Sequence, residues 1–452
     1  MGANDFVSKP YHPEVIRLRL RNLIQMREAK ETVNVLEIDT LTGLINKEAL
    51  FHKVTNKLEK ANAQYEMVAG DIEKFKIYND TFGDAAGDEL LQYVAKQLQE
   101  VFAEHDCLIS RGYADQFFLF IKQEEKVNAL LEKVCERIKA YPSKIKVVMK
   151  FGIYSVDSNT VTVRAMCDRA VLAASTIKGQ YDLAICNYND SLREKMIREQ
   201  QISSIMNEAL EQKQFKVYYQ PKHDADTEYI VGAEALVRWI HPEYGFMSPG
   251  DFIPLFEKNG FITQLDMYIW EEVCAFLQHF QKEHDVCMPI SVNVFRRDIY
   301  SADLPKFFMD LVKKYELDPK YLHLEVTETA YTDNPKQLLE VVKQLKDCGF
   351  AIEMDDFGSG YSSLNMLSEM PIDILKLDMK FLKGGTESRR GQIVLQCIVN
   401  MAKALNIPTI AEGVETFSEI EYLKKLGCEA VQGYYYAKPM PVGEFEKKLS
   451  QH

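Results

Sequence analysis

The chain has 452 residues, which at ~150 residues per domain excludes a single small domain and leaves room for two or three, a large barrel counting as one. With 46% hydrophobic and 27% charged residues, 22 Gly and 15 Pro, it has the make-up of a packed globular protein, which excludes collagen-like and disordered classes. The balance of 54 basic and 67 acidic side chains gives a net charge of -13, so the molecule as a whole repels a polyanion such as a long nucleic acid, and an anionic substrate would need local cations or metal ions. No apolar run approaches the ~18 residues of a spanning helix and the N-terminus lacks the apolar core of a secretory signal, so a cytoplasmic location is expected. The nine Cys are scattered and odd in number, which suggests buried free thiols in a reducing compartment rather than a disulfide framework or a zinc knuckle.

Residues 1–36 are expected to form a leading segment whose basic stretch, from Pro13 onward, reads as a connector helix. The opening GANDFVSKPYHPEVIRLRLRNL resembles the last strand, loop and helix of a two-component receiver domain, with Lys9-Pro10 as its Lys-Pro pair. That resemblance implies an upstream receiver in a longer protein; an ordinary basic N-terminal helix is the other reading. Residues 37–188 then alternate short strands with amphipathic helices. Tyr65–Asp71 reads as a strand, Gly87–Phe102 as a helix and Leu108–Ile121 as two strands around a tight turn. Val127–Ala140 reads as a helix, Ile145–Tyr154 as a strand and Val163–Ile177 as a helix, which makes a compact α+β domain. A charged helix, Ser191–Gln212, leads into the last part, residues 189–452.

That part holds eight short apolar strand candidates, beginning at Phe215, Ile230, Pro289, Leu322, Phe350, Ile372, Ile407 and Ala430. Most are separated by helix-length segments, so their number and spacing predict an eight-stranded β/α barrel. Only about nine residues (KHDADTEYI) separate the first two, fewer than the dozen or so a parallel crossover needs, so the first strand should run antiparallel to the rest.

Polar residues recur near the C-terminal ends of these strands: Glu234, Asn293, Glu325, Asp355, Asp356, Lys376, Asp378, Glu412 and Gln432. In a β/α barrel that rim is where active sites assemble. Carboxylates converging on one mouth repel one another unless cations neutralise them; these are hard oxygen donors, suited to Mg²⁺ or Mn²⁺, with no His among them to favour zinc. A pair of ions roughly 3.5–4 Å apart, activating a water for in-line displacement at phosphorus, is the economical reading. Each acid alone is more often a solvated cap or ion-pair partner than a functional group. Glu234 and Arg238, four apart on a strand, point the same way, and for Arg238 a salt bridge to its own Glu is the plain alternative.

Together these residues resemble the EAL domain family of cyclic di-GMP phosphodiesterases over about residues 195–445. The carriers, in order, are YQPK (219–222), EALVRW (234–239), SVN (291–293), LEVTE (324–328), DDFGSGYSSL (355–364), LKLD (375–378), AEGVE (411–415) and QGYYYAKPMP (432–441). The resemblance implies two metal ions, one held by Glu234, Asn293, Glu325 and Asp355, and a second sharing Asp355 with Asp356 and Glu412. It implies that Lys376 orients or helps deprotonate the attacking water, with a depressed pKa beside two cations. Arg238 would meet a substrate phosphate, Asp378 support Lys376, Glu328 anchor the loop after Asp355, and Gln432 sit near metal-bound water. The implied product is linear pGpG, and the implied partner a second copy of the chain, docked through barrel elements near the DDFGSGYSS loop. One departure stands out: Phe295 takes the place of a small Ser after SVNV, either packing on the barrel wall or narrowing the site.

Residues 39–185 resemble the GGDEF family of diguanylate cyclases through DTLTGLINKEAL (39–50), DIEKFKIYNDTFGDAAGDELL (71–91) and RGYADQF (111–117). Where that family has its GGDEF signature, this chain has Tyr113, Ala114, Asp115, Gln116 and Phe117. Two backbone positions that approach the nucleotide have gained side chains and one carboxylate has become an amide, so cyclase activity is expected to be lost. Asp71 and Asp115 remain as candidate metal ligands, and Asn79 and Asp88 stand where the family binds guanine. GTP binding without turnover, as an activating signal, and a purely structural dimerisation module are both open. The family's inhibitory RxxD is replaced by Glu104, His105, Asp106 and Cys107. The fold expected is a mixed α/β and α+β one: an EAL-type β/α barrel with an antiparallel first strand, a GGDEF-like domain and an N-terminal linker helix. The reading is of a metal-dependent phosphodiesterase regulated by a silent cyclase domain; a cyclic di-GMP receptor that binds without hydrolysis is the rival.

Overall fold

The structure is a computed structural model; it describes residues 37–59, 63–123, 126–156, 161–180, 182–284, 287–300, 303–327, 334–355, 357, 363–378 and 389–450, with five scattered positions (14, 17, 18, 20 and 21) before them. The expected receiver remnant and connector helix lie for the most part outside the described residues, as do Asp356, Glu328 and most of the DDFGSGYSS loop. The chain divides into two compact units, 1–198 and 199–452. No helix among the described residues is long and apolar enough to cross a membrane.

The first unit is built on β1 (Ile45–Asn46), α1 (Lys47–Leu58), β2 (Tyr65–Ile72), α2 (Phe75–Phe82), α3 (Asp84–Val101), β3 (Cys107–Arg111), β4 (Phe117–Lys122), α4 (Val127–Lys139), β5 (Met149–Val156), α5 (Val163–Thr176) and β6 (Ile185–Asn187). Its strands form one sheet in the order β1-β3-β4-β2-β5-β6. Successive residues of β2 and β4 feed opposite faces: Val68, Phe117, Leu119 and Ile121 pack with α3 and α4, while Met67, Ala69, Phe118 and Phe120 pack with α1 and α5. A sheet covered on both faces has no solvent side, which is why FFLFI reads as an unbroken apolar run. The helix expected from Gly87 begins at Asp84, and the strand expected from Ile145 begins only at Met149. The apolar residues before Met149 line a cavity instead.

A long helix, α6 (Asp190–Glu211), spans the boundary between the units, and its buried Ile202 and Ala209 belong to the core of the second. The strands there are β7 (Phe215–Asp224), β8 (Ile230–His241), β9 (Gly245–Met247), β10 (Ile290–Val294), β11 (Leu322–Thr327), β12 (Ala351–Asp355), β13 (Ile374–Asp378), β14 (Thr409–Glu412), β15 (Ala430–Gln432) and β16 (Met440–Pro441). Eight of them close a barrel in the order β8-β10-β11-β12-β13-β14-β15-β7, sealed by pairing of β7 with β8, while β9 and β16 extend β8 and β7. All eight predicted strands are present. The first is antiparallel to both neighbours, as its short connection requires. In the turn after β7, Asp224 Oδ1 accepts the Thr227 and Asp226 amides at 2.7 and 3.1 Å, and Glu228 adopts a left-handed φ of 63°.

Helices long enough for parallel crossovers, such as α7 (Pro249–Asn259) and α8 (Ile262–His284), wrap the barrel. Phe215, Trp239, Phe252 and Phe256 interlock outside its wall, with Trp239 Nε1 donating to Gln214 Oε1 at 3.0 Å. Just beyond β15, Gly433 lies so close to the chain after β14 that a Cβ there would be 2.0 Å from the Val414 carbonyl oxygen. Gly433→Ala should therefore force the strand ends apart and cost about 1–3 kcal/mol, read as a lower denaturation midpoint at unchanged m-value.

Candidate functional site

The barrel mouth is organised around one ammonium. Lys376, on β13, is buried, and its Nζ lies 2.6 Å from Glu325 Oε2, 2.6 Å from Glu412 Oε1, 3.2 Å from Asp355 Oδ1 and 3.6 Å from Glu234 Oε2. Strand register explains the convergence: Thr327 is paired with Asp355, Asp378 with Glu412 and Glu412 with Gln432. Asp355, Asp378, Glu412 and Gln432 close their strands, whereas Glu234, Asn293, Glu325 and Lys376 lie one or more residues inside theirs, and β8 runs on past the barrel into its pairing with β9. Asn293 Nδ2 donates to Glu234 Oε1 at 3.5 Å, and Gln432 Nε2 donates to Glu234 Oε2 at 2.5 Å and to Gln220 Oε1 at 3.2 Å. Asp378, Glu412, Gln432 and Glu234 line a cavity of about 280 Å³ together with Glu415 and Tyr434. The structure thus brings Glu234, Asn293, Glu325, Asp355, Lys376, Asp378, Glu412 and Gln432 to one place; Asp356 and Glu328 lie outside the described residues.

Four acidic side chains converge on one ammonium, with only Glu325 also reached by Lys222, so acid groups outnumber cations in largely buried surroundings. Burial, then the Glu234 charge, pushes Glu325 well above the usual carboxylate range despite Lys376 and Lys222, and burial pushes Glu412 up to about 8. Burial would lower Lys376, but Asp355, Glu234, Glu325 and Glu412 outweigh it and hold the ammonium well above its ordinary value. This is the reverse of the depression expected beside two cations, because here the lysine is itself the neutralising charge. Among the described residues no three acidic, His or Cys side chains already stand as a metal shell; the ammonium fills the focus. The donors nonetheless fit hard divalent ions: all are oxygens, they carry uncompensated charge, and Gln432 Oε1 is buried without a hydrogen-bond partner among the described residues.

Arg238 stands apart from this group. Its Nη1 donates to the Val237 carbonyl at 2.8 Å and its guanidinium lies 5.9 Å from the Tyr218 ring, so it is not spent on a salt bridge to Glu234. It lines a smaller cavity, about 80 Å³, with Asn293, Asp266 and Phe295. Phe295 packs against the barrel core and also borders that cavity, so both readings of it describe part of its environment.

A second polar layer lies one strand repeat deeper and was not anticipated. Ser291, His323 and Glu353 each sit two residues before Asn293, Glu325 and Asp355, on the same strand face. Lys222, from the antiparallel β7, reaches them: its Nζ lies 2.6 Å from Glu353 Oε2 and 3.2 Å from Glu325 Oε1 and donates to Ser291 Oγ. Ser291 Oγ donates to Glu353 Oε1 at 2.8 Å, and His323 Nδ1 lies 2.6 Å from the same oxygen. The rim residues include no His; His323 serves Glu353 beneath the mouth. Strand parity, carried two residues inward from the rim, would have found three of the four.

In the first unit, Asp71 is paired with Lys178 at 2.6 Å, and Asp115 Oδ2 accepts the Ile72 amide at 3.2 Å. Burial and the Asp71 charge raise the Asp115 carboxyl. Asn79 packs against Gly87, where a Cβ would be 2.0 Å from its Oδ1, and Asp88 is exposed on α3. The unit's cavity of about 500 Å³ is lined by Lys74, Tyr78, Leu90, Lys146 and Met149 among others, and by neither Asn79 nor Asp88.

The raised Glu412 has a signed consequence for the metal-free protein. A carboxyl whose folded pKa lies above its ordinary 4.5 adds stability that is complete below about 4.5 and lost as pH rises through about 8. In chelator, denaturant midpoints should fall over that window, and Glu412→Gln should flatten the fall; an unchanged pH slope in the variant would count against the assignment.

Comparison with known proteins gives this geometry a family. The EAL domain model matches residues 204–439, and the model for the diguanylate cyclase GGDEF domain matches 36–181. The bifunctional diguanylate cyclase/cyclic di-GMP phosphodiesterase MucR of Pseudomonas aeruginosa is 30% identical over 92% of this chain and 62% of its own length. The cyclic di-GMP phosphodiesterase PdeR of Escherichia coli is 28% identical over 94% of this chain and 65% of its own length, so the chain spans under two thirds of either relative. Among solved structures, the PaMucR phosphodiesterase in complex with c-di-GMP aligns with 54% of this chain and 99% of its own, at a TM-score of 0.52 and 34% identity. The chain belongs to the EAL domain family, with a GGDEF domain ahead of its barrel.

Proposed function

We propose that the chain hydrolyses cyclic di-GMP to linear 5′-pGpG in a metal-dependent reaction carried out in the barrel mouth. The observation that carries this is the convergence of Glu234, Glu325, Asp355 and Glu412 on Lys376, with Asn293 and Gln432 completing the rim. EAL phosphodiesterases generally use divalent metal ions. In this chain Glu234, Asn293, Glu325 and Asp355 would hold one ion, and Asp355, Asp356 and Glu412 a second, Mg²⁺ or Mn²⁺ in each case. Bound there, such ions supply Lewis-acid activation of water and neutralise charge developing at phosphorus. The protein's own groups do the rest. Lys376 holds a proton at Nζ and orients the attacking water; Asp378 steadies that side of the mouth, and Gln432 fixes Glu234 through its amide. Arg238 would turn its guanidinium to a substrate phosphate: among the described residues it donates to the Val237 carbonyl and lies over the Tyr218 ring, and no ion pair holds it. Glu328 is assigned to anchoring the loop after Asp355.

The domain plan that goes with this reading is a receiver remnant and linker over 1–36, a GGDEF-like domain over 37–188 and the EAL domain with its leading helix over 189–452. The first of these points to an upstream receiver domain, and the whole to a cytoplasmic homodimer. The GGDEF-like domain is assigned as catalytically silent. Ala114 carries a left-handed φ of 54° where a glycine would sit without strain, Tyr113 is exposed beside it, and Lys178 occupies Asp71. Its role is then regulatory, with GTP at Asn79 and Asp88 as the candidate signal. A receptor that binds cyclic di-GMP without cleaving it is the second reading, favoured by Phe295 at the cavity shared with Arg238 and Asn293.

Purified protein given cyclic di-GMP with Mg²⁺ or Mn²⁺ should release pGpG, resolved by chromatography, and release should stop in chelator; tight binding without product under either metal rejects the hydrolase. Glu234→Ala should lower kcat/KM by ~10³-fold or more, a loss of several kcal/mol of transition-state stabilisation. Supplied with GTP alone, the protein should form no cyclic di-GMP. Acceleration of pGpG release by GTP would assign the first domain as a sensor.

A further inference from the structure

We propose that Lys222 is a positioning residue for the reaction assigned above: from the layer beneath the mouth it fixes the carboxylate of Glu325, and Glu353 cancels its charge. The inference rests on the hydrolase reading for its kinetic consequence and on the barrel geometry alone for its effect on the mouth.

An ammonium has three protons, and Lys222 has three acceptors: Glu353 Oε2 at 2.6 Å, Glu325 Oε1 at 3.2 Å and Ser291 Oγ. With its full donor set engaged and its side chain buried, it has one orientation. The two partners depend on it unequally. Glu353 is also served through Oε1 by Ser291 at 2.8 Å and by His323 at 2.6 Å. Among the described residues, only Lys222 donates to Glu325 Oε1, while Lys376 takes Oε2 at 2.6 Å. The Glu325 carboxylate is therefore held by one lysine on each oxygen, and removing the lower one frees it to rotate about its terminal torsion, which swings Oε2 away from the mouth.

Glu353 explains how such a lysine can be present at all. A lone cation beneath the site would neutralise one of the charges that divalent ions need. The Lys222–Glu353 pair is neutral within itself, so it supplies a fixed donor while leaving the mouth's excess of acidic groups over cations intact. A purely structural role would make Lys222 merely the partner that keeps Glu353 soluble in the core, since an unpaired buried carboxylate is strongly destabilising.

The two roles separate in a three-variant comparison on the full chain: Lys222→Met, Glu353→Gln and the two together. Mn²⁺ binding is followed by titration calorimetry, cyclic di-GMP turnover by chromatography and stability by thermal melting. Lys222→Met should bind Mn²⁺ ~10–100-fold more weakly and lose kcat by a similar factor with KM little changed, as removal of a partner behind a ligand does. The double variant should regain much of the melting temperature, because no charge is left unpaired, and keep the weak Mn²⁺ binding and low kcat. If Lys222→Met fails to fold, the double variant carries the test. Recovery of Mn²⁺ affinity in the double variant along with its melting temperature would overturn the proposal, as would wild-type affinity in Lys222→Met. Should the wild type bind Mn²⁺ and make no pGpG, the hydrolase reading fails while the Mn²⁺ comparison still decides the role of Lys222.

Discussion

The barrel depends on a charge imbalance that it cannot settle alone. Glu234, Glu325, Asp355 and Glu412 converge on the Lys376 ammonium, with Lys222 adding a second contact to Glu325 from below, and all four lie on largely buried strands. In such surroundings a carboxylate without a partner costs several kcal/mol, so the fold holds the set together in one of two ways. Protons can stay on, which is what the upward shifts of Glu325 and Glu412 describe, or cations can replace them. A site that is strained toward protonation when empty is one that gains most by binding divalent ions, and the same electrostatics set a threshold for an anionic substrate, which approaches a mouth of its own sign.

That constraint reaches back into the topology. Gln432 and Gln220 bridge from β15 and β7 to Glu234, and Lys222 reaches the lower layer from β7. An antiparallel first strand delivers these side chains between β15 and β8, closing the barrel where a parallel one would need a crossover helix. The five residues between β7 and β8 therefore do more than turn the chain, since they set which polar groups meet Glu234.

Much of this was legible in the residues. All eight strands follow from short apolar runs at helix-length spacing, and the antiparallel first strand follows from the one gap too short for a crossover. The rim residues were legible because each but Glu234 stands within two residues of the end of its strand. What escaped was the layer below. Glu353 stands inside FAIEMDD, where the adjacent DD pair draws the eye, and His323 and Ser291 sit inside strand runs, Ser291 within SVN. Lys222 closes the YQPK motif, but its partners are 69 to 131 residues away, so nothing local says what it meets. In the first unit, propensity misplaced the start of β5, because Ile145 and Val147 are apolar for a cavity and not for a strand.

The two units neutralise their acidic residues to different degrees. In the first, Asp71 has a lysine at 2.6 Å and Asp115 accepts a backbone amide, while burial and the Asp71 charge raise the Asp115 carboxyl. In the second, the carboxylates outnumber the cations and Gln432 Oε1 is left without a partner among the described residues. The barrel mouth therefore holds more acid oxygens than the cations beside it can neutralise, and that surplus is what a divalent ion would relieve.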